Sequence, residues 1–211
     1  MERGQIFDAV ACERRRIADL LGSLDEEALA TPSLCTGWDV KMVAVHLVSV
    51  FADSFWTFQR AAIRYGGFNR AIDELARRRA RTPAADIAGT LRQRADHRLS
   101  PPLTGPMSGL TDVLVHGGDI RIPLGLPFRP DDEQVGWALD FLTGPRPLGF
   151  VPRGRLRGIA LHSTDIRRSW GSGAEIRGPA SLLMMAAAGR VAVLEMLDGP
   201  GVTLLRTRLS T

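Results

Sequence analysis

Apolar positions in this chain recur at three- and four-residue spacing through most of the first 150 residues, which predicts a succession of amphipathic helices. Ile6, Val10, Ile17, Leu20 and Leu21 mark the first, over residues 2–23, with Gly22 as its stop signal. A loop through Thr31, Pro32 and Ser33 leads to Asp39, whose carboxylate suits a helix start because it can accept from unpaired backbone N–H groups of the first turn. That helix is expected over about residues 40–65, ahead of Gly66 and Gly67. Further helices are expected over residues 68–81, 84–97 and about 107–121, set apart by Pro83, by Pro101 and Pro102, and by Pro123. Pro130 followed by Asp131, Asp132 and Glu133 opens another, with proline in the first turn and acids complementing the helix dipole; it feeds Val135, Leu139 and Leu142.

The texture changes at Gly144-Pro145-Arg146-Pro147-Leu148-Gly149, which reads as a linker. Residues 156–163 and 168–170 read as strands joined by a turn around Asp165. Pro179 opens an apolar helix through Leu182, Leu183, Met184 and Ala187, and residues 202–209 read as a final strand. The expected fold class is mainly α: a helical bundle over residues 1–148, then a small α/β domain over residues 149–211.

Composition narrows the function. With 45% hydrophobic residues in 211, the chain can bury a large core, and no stretch reaches the roughly 20 apolar residues of a membrane span. The opening Met1-Glu2-Arg3-Gly4, followed by Glu13 and Asp19, does not read as a secretory signal, and none is expected. Two cysteines, Cys12 and Cys35, make no disulfide framework, so a reducing, cytoplasmic location is expected. The net charge of +4 rests on arginine, Lys41 being the single lysine, and acids are interspersed nearly everywhere. The run Arg77-Arg78-Arg79-Ala80-Arg81 lacks interleaved aromatics and reads as a solvated helix face; neither a nucleic-acid nor a membrane partner is expected.

Two segments carry the candidate chemistry. Gly37-Trp38-Asp39-Val40-Lys41-Met42-Val43-Ala44-Val45-His46-Leu47 puts a histidine among apolar residues; Val43 and Val50, three before and four after His46, share its helix face. Asp112-Val113-Leu114-Val115-His116-Gly117-Gly118-Asp119 sets a carboxylate and a histidine four apart, on one face of their helix. Two imidazoles and one acid suit zinc, nickel or iron and leave a position open, the pattern of catalytic rather than structural sites. Helical bundles build such centres from facing helices. Plainer readings stand beside this one: a core histidine at 46 bonded to a carbonyl, and an Asp112 that only complements the start of its helix.

The wording around these residues resembles a known family. Cys35-Thr36-Gly37-Trp38-Asp39-Val40 followed by Val45-His46-Leu47 is similar to the opening motif of the mycothiol-dependent maleylpyruvate isomerase family, part of the DinB-like group of metal-binding four-helix bundles. The segment from Asp112 to Asp119 looks like its second motif. Phe68-Asn69 with Arg77-Arg78, Arg177-Gly178-Pro179-Ala180 and Ala188-Gly189-Arg190 add to the likeness. The resemblance implies a bundle holding a divalent metal, usually zinc, through His46, Asp112 and His116. It also implies mycothiol, the small thiol of actinobacteria, as cofactor, with the metal-bound thiolate as nucleophile toward a small electrophile. In the isomerase that thiolate adds to a conjugated double bond, permits rotation, and leaves. The chain departs from the pattern at 112, where Asp replaces Glu and is one methylene shorter, and in its short tail, where Gly199-Pro200-Gly201 stands for the usual Gly-Asp. The reading is a mycothiol-using isomerase or transferase, monomer or homodimer. The alternative is a non-catalytic metal- or ligand-binding bundle.

Other residues carry less. Arg190, after Gly189 at a helix break, could hold a carboxylate of the thiol or substrate; solvation is its plain alternative. Cys35 reads as packing near Trp38 and Cys12 as structural. Asp119 reads either as a partner orienting His116 or as a surface acid near the helix end. His97 reads as surface, and His162 as packing in a strand.

Overall fold

A computed structural model of the protein describes residues 2–52 and 83–210. The expected helical residues 53–65 and 68–81, with Phe55, Trp56, Phe58 and the arginine run, lie outside the described residues. The described elements are α1 (Arg3–Ser23), α2 (Glu26–Leu29), α3 (Val40–Ala52), α4 (Ala84–Gln93), α5 (Gly105–Arg121), α6 (Asp132–Leu142), β1 (Ile159–Ser163), β2 (Ser169–Gly171), β3 (Ala174–Gly178), α7 (Ala180–Ala187), a 3-10 helix (Val191–Met196) and α8 (Gly201–Leu209). The chain is mainly helical, with one small sheet confined to its C-terminal part. Among the described residues no helix is long and apolar enough to cross a membrane.

Two compact units emerge. One comprises Val10–His97 and Asp119–Leu126, the other Met1–Ala9, Arg98–Gly118 and Pro127–Thr211. In the first, Ile17, Leu21, Leu29, Val40, Val43, Leu47, Ile87 and Leu91 are buried, as their helical spacing predicts. Arg14 is itself buried and donates through Nη1 to the carbonyls of Ala95 and His97 (2.9 and 2.8 Å), satisfying the chain where α4 has ended. Asp39 caps α3, its Oδ1 accepting from Met42 N at 2.7 Å.

In the second unit β1 is the central strand, antiparallel to β2 and parallel to β3. Leu161 faces Trp170 on one side and Ile176 on the other, and all three are buried with Leu183 and Met184 of α7 and Leu139 of α6. Asp140 of α6 ties the sheet down by accepting from Trp170 Nε1 (2.7 Å) and from Arg168 through both oxygens (2.7 and 3.0 Å). Asp165, in the turn after β1, accepts from Ala180 N at 2.9 Å and so caps α7, whose preceding Pro179 offers no side-chain acceptor.

Several elements differ from the sequence reading: α4 ends at Gln93 rather than at 97, and β1 begins at Ile159 rather than at 156. Pro130 precedes the cap of α6, which is Asp131, accepting from Glu133 N and Gln134 N. The strand β3 went unread, because Ala174-Glu175-Ile176-Arg177-Gly178 has little strand propensity and is held by its parallel pairing with β1. Residues 202–209, expected as a strand, lie in α8. Val202, Thr203 and Thr207 suggested extended backbone, but only Gly201 and Leu205, one helical turn apart, are buried, and Pro200 sits at the helix start.

Candidate metal centre

His46 is delivered by a short, tightly bonded loop and the helix it leads into. Ser33 closes the loop: its N–H donates to Trp38 O (2.9 Å), its hydroxyl donates to the same carbonyl (2.9 Å), and it accepts from Cys35 N (3.1 Å). Trp38 N in turn donates to Cys35 O at 3.0 Å, across Gly37 with its φ of +80°. These bonds hold the indole of Trp38 against the imidazole of His46, ring centroids 5.4 Å apart and planes inclined by 51°. His46 is half-buried, while Val43, Val45 and Leu47 around it are buried. Sequence reasoning missed the role of Trp38. Its signal was the glycine-tryptophan pair one helical start before the histidine.

Asp112 and His116 need no such loop. They follow each other by one turn of α5, and Asp112 Oδ1 lies 3.4 Å from His116 Nε2. His116 is buried and Asp112 half-buried. Asp112 lies well inside a helix that starts at Gly105 and carries no acid in its first turn, so the reading of Asp112 as a complement to the helix start falls. Two residues past His116, α5 approaches α7 so closely that a Cβ at Gly118 would meet Met185 Sδ at 2.6 Å and Cε at 2.8 Å. Asp119 is fully buried, which removes its reading as a surface acid.

One ligand atom from each of His46, Asp112 and His116 lies within 4.8 Å of the others, a candidate metal site. The donor set fits the borderline cations named above. Ligands about 2.0–2.1 Å from a tetrahedral zinc sit about 3.4 Å apart along each edge, and the Asp112–His116 pair already has that spacing at 3.4 Å. The one-methylene-shorter acid at 112 therefore still brings an oxygen to its histidine.

Of the remaining candidates, Arg190 lies in the second unit, half-buried, its Nη1 donating to Ala188 O at 2.9 Å. Cys35 is half-buried with its backbone engaged by the loop, and Cys12 is exposed on α1. His97 is exposed, as expected. His162 is held at the sheet surface between Ser169 Oγ (3.1 Å from Nδ1) and Glu175 Oε1 (3.7 Å from Nε2).

A mainly helical protein with two histidines and one carboxylate gathered at one point defines the class of candidate metal-binding helical folds. Within that class, residues 10–100 match the family model of the mycothiol maleylpyruvate isomerase N-terminal domain, so the resemblance carried by the Gly37–Leu47 segment holds. The chain is similar in fold to the crystal structures of mycothiol-dependent maleylpyruvate isomerase, with a TM-score of 0.52 at 12% identity. A histidine-to-alanine mutant of that enzyme gives a TM-score of 0.55 at 13% identity. Each comparison covers 90% of this chain and 90% of the other. No curated protein matches in sequence.

Proposed function

We propose that this protein is a metalloenzyme that uses mycothiol in an isomerisation or transfer reaction on a small electrophile. The observation that carries the proposal is the gathering of His46, Asp112 and His116 ligand atoms within 4.8 Å of one another. His46 and His116 would hold a divalent cation, zinc foremost, as neutral imidazoles, and Asp112 would add the single negative charge. A dication held this way keeps a coordinated thiol deprotonated at neutral pH. With three protein donors, the ion would have room to bind that sulfur as well. Trp38 would keep the His46 ring from turning, and the buried carboxyl of Asp119 is suited to orient a ligand imidazole. Arg190 would receive a carboxylate through its guanidinium fork. Residues 1–148 and 149–211 would be the two domains, and the enzyme would work in the cytoplasm as a monomer or homodimer.

Metal analysis of protein purified without chelators, followed by thermal shift with mycothiol, tests this reading. About one equivalent of metal per chain is expected, lost in His46→Ala and in His116→Ala, with stabilisation by mycothiol only in the metal-loaded protein. Stoichiometric metal without thiol stabilisation or thiol-dependent turnover would leave the non-catalytic metal-binding bundle. Absence of metal would end the proposal.

A further inference from the structure

We infer that Ser169, His162 and Glu175 act as nucleophile, base and positioning carboxylate toward a small acyl ester, which they hydrolyse. Neither a metal nor a thiol enters this inference. The sequence reading left His162 as packing in a strand, but its side chain is partly exposed and its two ring nitrogens face different partners. Nδ1 lies 3.1 Å from Ser169 Oγ, and Nε2 lies 3.7 Å from Glu175 Oε1. Arg177 takes the other oxygen of Glu175, its Nη2 standing 2.5 Å from Oε2, which leaves Oε1 to the imidazole. A hydroxyl against a base that a third group orients is the arrangement that activates a serine.

The strands dictate this arrangement. His162 of β1 sits directly opposite Ser169 of β2, on the side of the sheet away from Leu161. Ser163 N donates to Arg168 O at 2.9 Å, and bonded pairs alternate along an antiparallel ladder. His162 and Ser169 are therefore a non-bonded pair, the kind whose side chains approach most closely. The same alternation turns the N–H of Ser169 outward, because β2 is an edge strand with a neighbour on one side only. There it can donate to the oxyanion that forms when an acyl carbon is attacked. The turn leading into β2 holds Arg167 at a φ of +51°, a left-handed conformation whose strain gathers at functional sites. Gly171, two residues along β2, is exposed and has no side chain to crowd Oγ, which suits a small, unbranched acyl group.

With its proton on Nε2, toward the carboxylate, His162 presents the Nδ1 lone pair to Ser169. Oγ bonds to the acyl carbon as its proton passes to Nδ1; the bond to the leaving oxygen breaks, and that oxygen takes the proton. Water then gives a proton to the same nitrogen and attacks the acyl carbon. Oγ recovers the proton, and the free acid leaves.

Treatment of the full chain with p-nitrophenyl acetate, followed by peptide mass spectrometry, tests the inference. Wild type should carry acetyl on Ser169 and release p-nitrophenol in step with it, and Ser169→Ala should lose that release. His162→Ala should slow acetylation of Ser169 about a hundredfold, the share of a general base. Added imidazole should restore it, a response that a merely structural histidine does not give. Glu175→Gln should slow acetylation about tenfold in wild type and no further in imidazole-rescued His162→Ala, since it acts through that ring. Melting temperatures equal to that of wild type in all three variants set folding aside. No acetyl on Ser169 of wild type, or His162→Ala acetylated as fast as wild type, would overturn the inference.

Discussion

The two segments that carry the metal-ligand candidates achieve their positions by different means. Asp112 and His116 are placed by the helix repeat itself: four residues apart on α5, they meet at 3.4 Å without help from any loop. His46 stands alone on α3 and depends on neighbours, with the Ser33–Trp38 loop holding an indole against its ring. A pair written into one helix is robust to changes nearby, whereas a lone ligand inherits the stability of whatever braces it. The contrast makes the α5 segment insensitive to distant substitution and the α3 segment tunable.

The largest effect should come from breaking the pair. Asp112→Asn keeps the shape and removes the charge, and metal affinity measured by chelator competition should drop about a hundredfold. Trp38→Ala should lower affinity about tenfold while leaving the fold intact by circular dichroism, because the imidazole of His46 loses its brace. Ser33→Ala removes the hydroxyl that accepts from Cys35 N and donates to Trp38 O. It should weaken metal binding by only a few fold, in step with about 1 kcal/mol of lost hydrogen bonding. If Trp38→Ala and Ser33→Ala bind metal as wild type does, the two segments are equivalent and the comparison fails.

The smallest effect on metal should come from Asp165→Asn, in neither segment. Burial raises the Asp165 carboxyl, but bonds from Ser163, Ala180 N, its own N–H and Ile166 N outweigh it, so the net shift is downward. A depressed carboxyl stabilises the fold above its unfolded pKa of about 3.9, and that contribution disappears as pH falls through the lower folded value. The substitution should therefore lower the Tm modestly at pH 7 and leave it unchanged in strong acid, with metal stoichiometry unchanged.

Much of this was legible from residues alone, and the exceptions have physical causes. Asp39 as a cap, Gly22 near the end of α1, and the shared face of Asp112 and His116 are local patterns, and local patterns survive folding. The helix α8 was misread because Val202, Thr203 and Thr207 carry strand propensity while its packing rests on Gly201 and Leu205 alone. The strand β3 had no local signal. It depends on a partner far along the chain, β1. Asp119 could be read either way from sequence, and its complete burial removes the surface reading.

The missing side chain at position 118 has a consequence for how this protein can change over generations. Met185 occupies the space a Cβ would need there, and the histidine two residues earlier rides on the same helix. Positions 118 and 185 therefore change together most easily. A larger residue at the first displaces only the flexible end of the second, so Met185 can swing aside or be shortened while the helix that carries His116 keeps its place.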